Sequence, residues 1–262
     1  MLDKIYKLSP QDSRLLYTED SDIQFIQIRQ YENLRWLHSG GEAVQAMMDV
    51  DSPYQPIFLI NIAMLSALLF YQQPTKLLNL GFGTGCFERF FNACMPDTLI
   101  TSVESNETII GLAREYFFIP DEYPVINEKA DHFLSHNNVI YSIILCDIFE
   151  GEKHPLCLTD NQFYGKAFRS LEEEGVLVVN LLLATELELI AVLLEVRKHF
   201  EWVLLLQIPN FGNMILIALK DEPPSSETLE MRATKMSGNL GVDLTDIPNR
   251  LTLLPKKKSG IK

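Results

Sequence analysis

Apolar and polar positions change their period along this chain, and the change divides it in two. Over residues 1 to about 55 apolar positions partly alternate with polar ones. Ile23-Gln-Phe-Ile-Gln-Ile28 and Leu34-Arg-Trp-Leu37 are rich in β-branched and aromatic residues and are interrupted at Glu32-Asn33 and Gly40-Gly41. This pattern predicts a small antiparallel β unit, with a further short strand at Ala43 to Met48. Asp49 to Pro56 reads as a loop, and the run from Ile57 to about Phe70, apolar nearly all round, predicts one extensively buried helix.

From Lys76 short apolar runs alternate with helical periodicity. Strands are predicted over residues 77–80, 99–103, 125–126, 141–146, 176–182, 202–207 and 214–219. Helices are predicted over 87–94, 107–117, 159–171, 186–200 and 226–236, with a short helical turn at 131–136. Glu172 to Gly175 read as the stop of the helix begun at Thr159, and the last two strands read as an antiparallel pair. Such alternation predicts an α/β fold with a mostly parallel seven-stranded sheet covered on both faces. The expected organisation is a β unit over residues 1–55 and a Rossmann-like domain over 56–262, ending in a polar tail whose basic last residues, 255–262, fray.

The stretch Lys76-Leu-Leu-Asn-Leu-Gly-Phe-Gly-Thr-Gly-Cys86 is where this pattern first acquires chemistry. A buried strand breaks into glycines at 81, 83 and 85, and a helix follows. Glycines let the backbone approach a ligand closely, and the helix start offers unpaired N–H groups. Cys86 stands where a dinucleotide fingerprint wants glycine or alanine, and no Gly-Lys-Ser/Thr follows, so neither that motif nor a P-loop fits. The remaining Gly-x-Gly-x-Gly form, with Thr84 inside it, is typical of folds that bind S-adenosylmethionine and its relatives.

In an open parallel sheet ligands bind beyond the carboxyl ends of the strands. Glu104 ends the second strand about twenty residues after the loop, a spacing at which a carboxylate accepts ribose hydroxyls. Asp131 follows the third strand and reads either as an acceptor for an adenine amino group or as a helix cap. Asp147 follows the fourth strand directly, with Glu150 three residues on, and such a pair holds an ammonium and takes its proton. His132 and His136 lie four apart, but no third ligand is evident beside them, and no metal is expected.

Composition narrows the partners. The net charge of −13 disfavours nucleic acid and anionic membrane. The longest apolar run, 57–71, holds Asn61 and Ser66 and is short for a bilayer. Four cysteines without C-x-x-C spacing read as reduced residues of a cytoplasmic protein.

From about residue 30 to 220 the chain resembles the polyamine aminopropyltransferases, such as spermidine synthase. The resemblance runs through Gln45, Tyr54-Gln55, the glycine loop, Val103-Glu104, Ala130-Asp131 and Tyr141 to Asp147, then Leu158-Thr-x-x-x-Phe-Tyr164 before Gly175-Val-Leu-Val178. It implies a methyltransferase-type fold and no permanently bound cofactor. Decarboxylated S-adenosylmethionine would be co-substrate, a small amine such as putrescine the acceptor, and 5′-methylthioadenosine the by-product. It also implies a homodimer.

The resemblance further implies that Gln45 and Gln55 contact the aminopropyl end of the donor, and that Gly81, Gly83, Thr84 and Gly85 of the loop bind the same ligand. Tyr54 would sit between donor and amine, Glu104 on the ribose and Asp131 on the adenine. Asp147 would deprotonate the amine, Glu150 would stand for the family's second aspartate, and Tyr164 would pack. Several features depart from the family pattern, among them a short N-terminal β unit and Pro209-Asn-Phe211-Gly212 in place of a tyrosine-proline element. Thr84 replaces an aspartate that receives the donor's ammonium, a loss of about 1.5–3 kcal/mol, or about ten- to a hundredfold. Pro56 replaces a glutamate. These departures leave open an S-adenosylmethionine-dependent methyltransferase or a non-catalytic nucleoside-binding paralogue.

Overall fold

The computed structural model describes residues 12–20, 25–39, 41, 43–149, 155–209 and 211–256. Its first four strands, β1 (Arg14–Asp20), β2 (Phe25–Tyr31), β3 (Leu34–Ser39) and β4 (Val44–Asp49), form an antiparallel meander in sequence order. Ile26 and Ile28 of β2 are fully buried while their neighbours are not, which is the expected alternation. The meander has no isolated core. Ile26, Ile28, Leu37 and Met48 pack on Ile109, Leu112 and Phe117 beyond residue 55. Leu34, Trp36, Val44 and Met47 join the main core of the chain.

The apolar run after the loop is two helices rather than one, α1 (Leu59–Met64) and α2 (Ala67–Phe70). Ser66 N–H donates to the Ala63 carbonyl and Leu69 N–H to that of Ser66, so the chain tightens to i→i−3 bonding at the junction. Periodicity alone does not register such a break, because residues on both sides remain buried.

The large sheet has eight strands: β5 (Lys76–Leu80), β6 (Leu99–Glu104), β7 (Val125–Asn127), β8 (Tyr141–Cys146), β9 (Leu171–Leu182), β10 (Trp202–Gln207), β11 (Asn213–Leu219) and β12 (Leu251–Leu253). Their order is β12-β10-β11-β9-β8-β5-β6-β7. The five strands from β9 to β7 are parallel, and β11, β10 and β12 add antiparallel. The seven expected strands are thus joined by an eighth, whose three residues pair with Leu204–Leu206. Leu-Thr-Leu is too short to carry a strand period by itself.

Among the described residues the remaining α-helices are α3 (Cys86–Cys94), α4 (Glu107–Tyr116), α5 (Ala130–His136), α6 (Asn161–Arg169), α7 (Glu186–Val196), α8 (Ser226–Leu240) and α9 (Ile247–Arg250). Glu172 to Gly175 are not a helix stop: α6 ends at Arg169 and these residues begin β9. Two hydrogen bonds hold Glu172 there, from Tyr71 Oη at 2.6 Å and Ser142 Oγ at 3.2 Å. Among the described residues no helix is long and apolar enough to cross a membrane.

One topological fact positions the site. From β5 the chain moves outward to β6 and β7, then returns to the other side of β5 as β8. The carboxyl ends of β5 and β8 therefore flank a switch point, where connections diverge and leave a crevice.

Candidate active site

A cleft of about 810 Å³ opens above that switch point, roofed on one side by β4 and the loop before it. It lies within the usual range for a small-molecule site. Gly81 follows β5 directly with φ +90°, and a Cβ there would stand 2.1 Å from the carbonyl oxygen of Asp147. Only glycine lets loop and β8 end approach so closely. Gly83 and Thr84 also line the cleft, whereas Gly85 does not. Gly85 sits behind it at φ +74° as the N-cap of α3, where a Cβ would meet the Ile119 side chain at 2.4 Å.

Glu104 stands at the end of β6 and faces the loop. Its Oε2 accepts from Gly83 N–H and its Oε1 from Asn106 N–H, each at 3.0 Å. The carboxylate is therefore oriented by the backbone, with further lone pairs toward the cleft. Asp131, on the first turn of α5, and Gln45, on β4, both line the same space.

Asp147 follows β8 on the opposite side of the loop. Its Oδ1 accepts from Asn180 Nδ2 at 2.7 Å, and Asn180 Oδ1 accepts from Asn213 Nδ2 at 3.0 Å. Burial, offset in part by the Asn180 hydrogen bond and reinforced by the negative charge of Glu104, pushes the Asp147 carboxyl up to about 6. A carboxylate with that affinity ionises near neutrality and still accepts a proton, as a general base requires. Cys86 also lines the cleft, but burial pushes its thiol up to about 11, which leaves it protonated and a poor nucleophile.

Arg89 on α3 holds the loop from behind. Its Nη1 donates to the carbonyls of Thr84 at 2.5 Å and Phe117 at 2.8 Å, and its Nε to that of Pro53 at 2.7 Å. Beside it Glu88 is fully buried, accepting from Asn79 Nδ2 at 2.8 Å and Ser102 Oγ at 2.6 Å. Burial raises the Glu88 carboxyl above the ordinary carboxylate value, opposed in part by the Asn79 and Ser102 hydrogen bonds.

The structure thus brings together Gln45, Gly81, Gly83, Thr84, Glu104, Asp131 and Asp147. It does not bring Tyr54 or Gln55 to the cleft. Tyr54 is 43% exposed and lines a separate shallow hollow with Arg89 and Phe118. Gln55 turns toward α8, donating to the Leu240 carbonyl at 3.3 Å. The Arg89 bond to Pro53 pins the turn that carries both side chains. Glu150 lies outside the described residues. Tyr164 is fully buried with its hydroxyl on the Leu158 carbonyl at 2.9 Å, a packing position. The expectation that His132 and His136 lack a third donor is overturned, since Glu128 reaches both rings. Asn180, Asn213 and Arg89 were not singled out in the sequence. The one available signal was Asn180, a lone amide inside the apolar run Val176 to Leu183.

The sheet order, the glycine turn and the cleft define a Rossmann-like fold of the methyltransferase type. No protein-family model matches the chain. It is 29% identical over 241 residues to a polyamine aminopropyltransferase of Chromobacterium violaceum, covering 90% of this chain and 92% of that one. A probable spermidine synthase from Corynebacterium glutamicum superposes with a TM-score of 0.72 at 19% identity, covering 92% of this chain and 90% of that one. A spermidine synthase in complex with the transition-state analogue AdoDATO gives 0.66 at 18% identity, over 92% of this chain and 85% of that one. Human methyltransferase-like protein 13 in complex with SAH gives 0.60 at 20% identity, over 70% of this chain and 90% of that one. Along nearly its whole length the chain is similar in sequence to polyamine aminopropyltransferases, and in fold to spermidine synthases.

Proposed function

We propose that the protein transfers an aminopropyl group from decarboxylated S-adenosylmethionine to a small primary amine such as putrescine, releasing 5′-methylthioadenosine. The observation that carries this reading is Asp147, a half-buried carboxyl held by Asn180 at the switch point and poised to ionise near neutral pH. The amine binds as an ammonium, gives its proton toward Asp147, and attacks the methylene carbon next to the sulfonium. A C–N bond forms as the C–S bond breaks, and the electron pair stays on sulfur as the thioether. The sulfonium is already an activated leaving group, so alignment of nucleophile and carbon supplies most of the rate.

The donor's adenosine lies over the glycine loop, with its ribose on Glu104, its adenine near Asp131 and its arm toward Gln45. Acids outnumber cations along this lining, which suits a sulfonium and an ammonium. In this reading the protein acts in the cytoplasm on free small molecules, with no nucleic acid or membrane partner, and forms a homodimer, which light scattering of the purified chain tests.

Thr84 favours a second reading. A neutral hydroxyl stands where an acid would receive the ammonium of the decarboxylated donor, and S-adenosylmethionine with methyl transfer then becomes the rival. Calorimetric titration with decarboxylated S-adenosylmethionine, S-adenosylmethionine, 5′-methylthioadenosine and S-adenosylhomocysteine separates the two. Preference for the decarboxylated donor and its thioether is expected. Preference for the carboxylated pair would transfer the assignment to methyl transfer, and binding of none would leave a paralogue without turnover.

A further inference from the structure

We propose that Glu128, His132 and His136 form a binding site for a late first-row divalent cation such as zinc, on the outer rim of the cleft. Glu128 ends the segment after β7, and its N–H is anchored on the Glu104 carbonyl at 3.0 Å. His132 and His136 lie one turn apart on α5, whose other face is fixed by buried Ala130, Phe133 and Leu134. The two imidazoles leave the helix toward the same side and converge on one carboxylate. His136 Nε2 lies 3.0 Å from Glu128 Oε1 and 3.1 Å from Oε2, and His132 Nδ1 also contacts Oε1. The His136 ring is further held edge-on against Phe133, with centroids 5.9 Å apart.

All three donor atoms fall within 4.8 Å of one another. Zinc–nitrogen and zinc–oxygen bonds of about 2.0–2.2 Å in a tetrahedron put donors about 3.4 Å apart, so one ion fits after a small retreat of the carboxylate. The set of two imidazoles and a carboxylate suits zinc and its neighbours better than magnesium or calcium, which prefer all-oxygen shells. Both rings are more than half exposed, leaving room for the water that completes the shell. The ion replaces any N–H protons that now face Glu128, so its binding releases protons.

Because Glu128 and Asp131 also line the cleft, a bound ion fastens the segment between them at the cleft's edge. The site is separate from the reacting centre at Asp147, and it does not depend on the reaction assigned above.

The test is calorimetric titration of the full chain with zinc chloride in a non-chelating buffer, repeated with His132→Ala, His136→Ala, the double variant and Glu128→Gln. One equivalent is expected for the wild type, at least tenfold weaker in each single variant and absent in the double one. The two imidazoles lie at the surface and the Glu128 side chain is half-buried, so the histidine variants retain the fold, which circular dichroism checks for all four. Zinc should raise the Tm of the wild type and leave that of the double variant unchanged. Cobalt should give visible bands of nitrogen and oxygen ligation. Equal binding by wild type and double variant, no bound equivalent, or cobalt–thiolate charge-transfer bands would overturn the assignment.

Discussion

Asn180 donates a 2.7 Å hydrogen bond to Asp147 across the parallel pair β8–β9, and Asn213 on β11 supports Asn180 in turn. The acid at the switch point is thereby held by two strands that lie far from it in sequence. The bond favours the ionised carboxylate, while burial and Glu104 favour the protonated one. The balance of these opposing effects sets where the acid titrates.

Asp147→Asn should abolish turnover while nucleoside affinity changes little, measured by product formation and calorimetry. It should also stabilise the fold. The folded state raises this carboxyl from 3.8 to about 6, so its stabilising contribution is complete below the unfolded value and is lost as pH rises through that interval. Removing the acid should raise Tm at neutral pH and have no such effect near pH 4. The wild-type kcat/KM should fall as pH drops through about 6.

Asn180→Leu removes the one contact that lowers the Asp147 carboxyl. The acidic limb of the pH–rate profile should move to higher pH, with activity recovered on raising pH. A limb that stays in place would show that the hydrogen bond does not tune the acid.

Glu104→Gln leaves at most one side-chain acceptor for the Gly83 and Asn106 amides, which both bond the carboxylate now. Affinity for 5′-methylthioadenosine should drop about ten- to a hundredfold, read by titration, on the scale of charge-assisted hydrogen bonds. Because Glu104's charge also raises the Asp147 carboxyl, the acidic limb should move to lower pH in this variant.

Gly81→Ala places a methyl group against the Asp147 carbonyl and keeps a positive φ, so β8's end must shift. Turnover should fall more than in Gly83→Ala, where an added Cβ meets nothing within 4 Å. Steady-state kinetics on the two variants make the comparison.

Glu88→Ala strands the buried Asn79 amide and Ser102 hydroxyl. Urea unfolding should show a loss of about 2–5 kcal/mol, following the cost of unsatisfied buried polar groups. Glu88→Gln keeps an acceptor and carries no charge, so its loss should be much smaller at neutral pH.

How much of this was legible depends on the range of the interaction concerned. The glycine turn, Glu104 and Asp147 are each marked by an apolar run that stops, and strand ends in a parallel sheet point to one side. Such signals are local. Gln55 and Tyr54 misled because the resemblance fixes their place in the chain but not the direction of their turn, which the Arg89 bond to Pro53 decides. Glu128 keeps the four-residue spacing of His132 and His136, but it precedes the helical turn expected at 131–136, so its approach to the two rings depends on the chain before the helix.

The sequence by itself determined the alternation of strand and helix, the glycine turn and the acids at the strand ends, since period and turn chemistry act over a few residues. The tertiary structure alone decided that β8 returns beside β5, which sets Asp147 against Gly81 and brings Asn180 and Asn213 to support it. Those contacts join residues 33 to 66 positions apart, and only the order of strands in the sheet brings them together.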